Sequence, residues 1–222
     1  MINVLLEGYG IDAPWLYEEL KYYVSPSHKV TVIALGFRPE RIRTLSDWNT
    51  LYGKNSGKDY RGIVRGFAAY GIKESNISFI NYFSDNAEDA KKKIAEADIL
   101  LFTGGLPDIM TDRINELGLL PHIMRHNGIV MGYSAGALIQ LKEYHLSPDK
   151  DYPIFKYYNG LPFLSDFYLE VHYEGTEAQK KAITRVLTER KKTVYATALM
   201  SGAIIFDNGS VKTLGDVREF EP

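Results

Sequence analysis

The stretch of this 222-residue chain best suited to chemistry is Gly132-Tyr133-Ser134-Ala135-Gly136. It follows the apolar run Gly128-Ile129-Val130-Met131 and leads into Ala137-Leu138-Ile139-Gln140-Leu141. That order reads as a strand, a sharp turn with a serine at its tip, and a helix. Such a nucleophile elbow forces the serine out of the sheet. Its Oγ projects into a cleft, and the next backbone N–H, that of Ala135, points at an incoming carbonyl. The flanking glycines let strand and helix pass closely, where any Cβ would clash. The chemistry this suits is attack of a serine hydroxyl on a carbonyl carbon.

A serine nucleophile needs a general base, and histidine is the usual one. The chain has five: His28, His122, His126, His145 and His172. His28 precedes the second strand, at the amino end of the sheet. His122 and His126 have i, i+4 spacing on one expected helix, a metal-compatible spacing without a third ligand in view. His145 falls in an expected loop. His172 ends a strand just before a helix, which places it at a carboxyl end, and it is the expected base. An α/β-hydrolase runs serine, acid, then a late histidine. Here no histidine follows His172, so that fold is disfavoured.

These residues need a frame. Residues 2–6, 29–35, 77–80, 98–102 and 128–133 are short, apolar and mostly β-branched, and read as buried strands. Helical patterns lie between them: Pro14 opens one through about Tyr23, residues 39–52 and 59–70 read as two more, Asp85 caps another, and Pro107 starts the next. Strand–helix alternation implies a parallel sheet with helices on both faces. Ligands bind such sheets at the carboxyl ends of the strands, where both Thr103-Gly104-Gly105 and Ser134 fall. After residue 145 the pattern changes. Residues 146–166 read as a loop or short hairpin and 167–171 as a strand. Thr176 caps a helix to about Arg190. Strands are expected at 194–199, 203–206 and 211–214, with Asp207-Asn208-Gly209 as a hairpin turn. The whole of 1–222 reads as one α/β domain.

Composition sets outer bounds. Apolar residues make up 45% and charged residues 24%, and the formal net charge is −2. Without a basic face, a nucleic-acid or membrane-surface partner is not expected. There is no cysteine, so no disulfide, thiolate metal site or cysteine nucleophile. The first residues lack the length and basic flank of a signal peptide, and no apolar run suffices to span a membrane; a cytoplasmic location is the expectation. Gly8-Tyr9-Gly10 after the first strand is a poor dinucleotide fingerprint, because Pro14 follows Ala13 at once and no acid ends the second strand. No cofactor or metal is expected. The expected partner is a small peptide or amide substrate, and a homodimer is compatible with the sequence.

Taken together, these features resemble the peptidase S51 group, which includes dipeptidase E and cyanophycinase, within the class I glutamine amidotransferase-like fold. The resemblance rests on the amino-terminal α/β pattern, the glycine turn after strand four, the 132–136 elbow, and His172-Tyr173 where the group has His-Phe. It implies a three-layer sandwich with a mostly parallel, flavodoxin-like central sheet. It further implies a serine-type peptidase, with Ser134 as nucleophile and His172 as base. The oxyanion hole would come from Gly104, Gly105 and Ala135. Tyr133 and Tyr173 adjoin this pair and are candidate substrate contacts. Two departures stand out. The group's Gly-Gly-Gly-Asn-Thr turn is Thr103-Gly104-Gly105-Leu106-Pro107 here, which removes groups that could define an aspartyl preference. The group's acid sits in a Leu-Pro-Glu-Gly turn; the matching segment is Leu199-Met200-Ser201-Gly202, so Ser201 takes the third place of the triad. Glu170 and Glu174 are alternative acids. A chain lacking the acid would be either an altered hydrolase or a ligand-binding module on the same fold.

Overall fold

Alternating apolar side chains sort the central strands onto two covered faces. The computed structural model describes residues 1–222. In chain order its first half comprises β1 (Ile2–Leu6), α1 (Pro14–Leu20), β2 (Val30–Ile33), α2 (Leu45–Tyr52), α3 (Lys58–Ala68), β3 (Ile77–Ile80), α4 (Ala87–Glu96), β4 (Ile99–Phe102), α5 (Pro107–Glu116) and α6 (Leu120–Ile123). There follow β5 (Ile129–Tyr133), α7 (Ala135–Leu138), β6 (Glu143–Leu146), β7 (Lys156–Asn159), β8 (Tyr168–Glu170), α8 (Glu177–Arg190), β9 (Val194–Asp207) and β10 (Ser210–Phe220).

The sheet runs β10-β9-β1-β5-β4-β2-β3, with β8 also paired to β9. β1, β5, β4, β2 and β3 are mutually parallel, whereas β9 joins β1 and β10 antiparallel and β8 parallel. Leu5, Leu100, Phe102 and Val130 face a core completed by α4, α5 and α7. Val4, Leu6, Leu101 and Met131 face the other, completed by α1, α2 and α3. The expected three-layer α/β architecture with a mostly parallel sheet is therefore the observed one.

Several boundaries differ from the sequence reading. Only the second half of 39–52 is helical, because Thr44 and Asp47 form a capping box that starts α2 at Leu45. Asn86, not Asp85, caps α4, accepting from Asp89 N–H at 2.9 Å; Asp85 instead pairs with Lys93. α6 ends at Ile123, so His122 and His126 do not share a helix. The expected strands at 194–199 and 203–206 are one strand, β9, interrupted by a bulge. Between Thr197 and Gly202 of β9, the partner β10 advances only from Val217 to Gly215, so residues 198–201 are pushed out of the sheet. The β9–β10 turn has positive φ at Asn208 (48°) and Gly209 (83°), the conformation a tight two-residue hairpin needs.

Candidate active site

β1 and β5 end in register, Leu6 opposite Tyr133. The next residue of each chain segment, Glu7 and Ser134, therefore leaves the sheet side by side. Ser134 N–H donates to Leu6 O at 2.9 Å. Ser134 has φ 53° and ψ −116°, a sparsely populated conformation held by its surroundings. The glycines are sterically required: a Cβ on Gly132 would lie 2.0 Å from Gly136 O, and one on Gly136 2.2 Å from Phe102 O. The elbow is thus clamped between its own helix and β4.

His172 follows β8 and also has positive φ, 53°. Its backbone is fixed at both ends. The N–H donates to Glu7 Oε1 at 3.0 Å, and the carbonyl accepts from Gln179 Nε2 at 2.9 Å. Its ring bridges the other two groups. Ser134 Oγ lies 2.8 Å from Nε2, and Glu7 Oε2 lies 2.7 Å from Nδ1. Glu7 is only 4% exposed, and Thr197 Oγ1 donates to its Oε1. The Glu7 carboxylate beside it raises the imidazole pKa above its ordinary value, against the opposing effect of burial. A proton on Nδ1 facing the carboxylate leaves Nε2 free to take the serine proton.

The expected oxyanion donors lie on the same edge. Gly104 and Gly105 line a cleft of about 600 Å³ together with Ser134 and His172. Gly105 has φ 128°, and a Cβ there would meet Gly36 O at 2.0 Å. Its N–H donates to no backbone acceptor. Ala135 is the first residue of α7, so its N–H has no intrahelical partner. Two unpartnered amides thus flank Ser134. Tyr133 forms the cleft wall beside Gly104 and meets Tyr9 edge-on at 5.6 Å.

Four expected placements are not observed. Ser201 does not reach His172, because it lies in the β9 bulge; the two residues of that bulge that line the cleft mouth are Leu199 and Met200, 53% and 66% exposed. The third place is occupied by Glu7, which the sequence reading passed over. Tyr173 is buried away from the cleft, in the small core under α8 with Ile183 and Val186, because its N–H ties it to Thr197 O at 2.9 Å. Glu170 is buried on the far side, 2.7 Å from His145 Nε2 and accepting from Ser147 Oγ at 2.7 Å. Glu174 is exposed, with its backbone N–H on Gln179. A carboxylate closing the apolar run Val4-Leu5-Leu6, followed by Gly8, was the available signal for Glu7.

The sequence model for Peptidase family S51 matches residues 59–214. The chain belongs to that family. Among solved structures, a protein assigned as a peptidase E from Listeria monocytogenes EGD-e superposes with TM-score 0.67 at 17% identity, covering 97% of this chain and 98% of its own. A peptidase from an acI-B1 Actinobacterium superposes with TM-score 0.64 at 14% identity, covering 99% and 93%. No curated protein matches the chain. At these identities the superpositions establish a shared fold. In this S51 member the elbow and histidine lie inside the matched segment, while Glu7 lies before it. No helix is long and apolar enough to cross a membrane.

Proposed function

We propose that this protein is a serine-type peptidase that cleaves a small amide or short peptide through an acyl-enzyme on Ser134. The observation that carries the reading is the continuous relay Ser134 Oγ–His172–Glu7, with contacts of 2.8 and 2.7 Å. His172 Nε2 takes the Ser134 proton as Oγ adds to the substrate carbonyl. The N–H groups of Gly105 and Ala135 stabilise the oxyanion that forms. The imidazolium, held by Glu7, then protonates the departing amine as the C–N bond breaks. Water, deprotonated by the same imidazole, hydrolyses the ester and frees Ser134. Family membership supports peptide hydrolysis in general; the serine mechanism rests on the relay. The reading of a cleft without catalysis drew its strength from a missing acid, and Glu7 supplies one.

A dipeptide-library turnover assay on the wild type and Ser134→Ala tests this. Turnover of some member by the wild type alone is expected. Equal turnover by both proteins contradicts the assignment.

A further inference from the structure

The cleft holds four charged side chains, and two are already neutralised. Glu7 faces His172. Arg38 is gripped by both oxygens of Asp151, at 2.6 and 2.5 Å. Arg41 is exposed at the rim, where solvent screens it, and Asp151 is again the nearby acid. Asp59 is different. It sits in the first turn of α3, half-buried in the cleft, within 4 Å of no cation and without a side-chain hydrogen bond. Other first-turn acids do structural work: Asp47 closes the α2 capping box and Glu177 pairs with Lys180 at 2.9 Å. Asp59 does neither. Burial pushes its carboxyl pKa up against the opposing pull of the neighbouring Lys58, so its charge is only partly offset.

The surroundings of Asp59 are aromatic. Tyr9, Tyr52, Tyr133 and Phe37 line the same cleft, where burial, joined by the Asp59 charge, pushes the Tyr52 and Tyr133 hydroxyls up. A carboxylate among ring faces attracts a cation by charge pairing and by cation–π contact. Its distance from the nucleophile follows from Tyr133. That residue adjoins Ser134 and meets Tyr9 edge-on at 5.6 Å, and the Tyr9 ring in turn packs over Gly62 of α3, one turn after Asp59. Asp59 is therefore set off from the attacked carbonyl by the Tyr133–Tyr9 pair. The α-amino group of the acyl residue lies two bonds from that carbonyl and falls short. A lysine or arginine side chain spans the gap.

We propose that Asp59 is a specificity-determining residue that binds the cationic end of a lysine or arginine side chain on the residue whose carbonyl Ser134 attacks. This rests on the hydrolase reading for which carbonyl is attacked, but the charge preference is testable without turnover. Calorimetric titration of Ser134→Ala with intact Lys-Ala, Ala-Ala and Asp-Ala is the experiment. Lys-Ala is expected to bind at least about tenfold more tightly than Ala-Ala, as one charge-assisted contact provides. Adding the near-isosteric Asp59→Asn change is expected to remove the difference. Equal affinities, no binding of Lys-Ala, or tighter binding of Asp-Ala through Arg41 would each overturn the proposal. The two readings fail separately. A lysine preference that depends on Asp59, in a protein that turns over no peptide, sinks the hydrolase alone. Turnover without a charge preference sinks the Asp59 site alone.

Discussion

Glu7 touches His172 with both carboxylate oxygens, one on the ring and one on the backbone N–H, so it fixes both tautomer and position. Glu7→Gln keeps the shape and removes the charge. By analogy with an acid-to-amide change in a serine protease triad, kcat is expected to fall by ~10⁴. The pH profile carries a second readout. Activity requires neutral imidazole, and Glu7 favours the imidazolium, so kcat/KM of the parent rises only as pH passes a value above the ordinary histidine pKa. In Glu7→Gln the opposing effect of burial is left, and the rising limb moves to lower pH. A limb that stays in place would show that Glu7 does not set it. Ser134 and His172 were legible in the sequence because each sits at a strand end next to a recognisable turn. Glu7 was not, because no spacing links residue 7 to residue 172. Their contact exists only once β1 and β8 have paired with the two halves of β9, Leu6 at Ala203 and Glu170 at Ala196, so that their carboxyl ends converge.

The elbow is an element-scale device, and its demand falls on two glycines. In Gly136→Ala the added methyl would stand 2.2 Å from the Phe102 carbonyl oxygen, backbone that cannot swing aside. Stability is expected to drop by about 3 kcal/mol or more, and the refolded fraction to lose reactivity at Ser134, since α7 must shift. Urea unfolding read beside labelling of the folded fraction checks this; full reactivity would mean that the turn tolerates the shift. The helices and buried strands around the elbow were readable from apolar period and capping residues, as Thr176 shows: it caps α8 as expected and accepts from Gln179 N–H at 3.3 Å. The β9 bulge was not readable. The break between strands expected at 194–199 and 203–206 was visible, but only the pairing of one continuous β9 with the shorter β10 run makes it a bulge and not an acid-bearing turn. The misplacement of Ser201 followed from that hidden irregularity.

At the scale of the molecule, two cores on opposite faces of one sheet hold the strand ends that carry the site. Leu101 is almost fully buried in the core under α1–α3, on β4 but pointing away from the elbow helix. Leu101→Ala is expected to cost about 2–5 kcal/mol without changing Ser134 reactivity per folded molecule. Denaturant midpoints with labelling rates separate the two effects; a rate that falls with stability would mean that the core tunes the site directly. The buried His145–Glu170 pair is a second global support. Glu170→Ala takes the acceptor from buried His145 and from Ser147 and is expected to destabilise by about 1–3 kcal/mol, visible as a lowered Tm. The relay itself is tested most directly by intact-mass and peptide-mapping analysis after reaction with a fluorophosphonate. A single adduct on Ser134 is predicted, absent from Ser134→Ala and formed far more slowly in His172→Ala and Glu7→Gln. No adduct at Ser134, or equal rates in all but Ser134→Ala, would contradict the account.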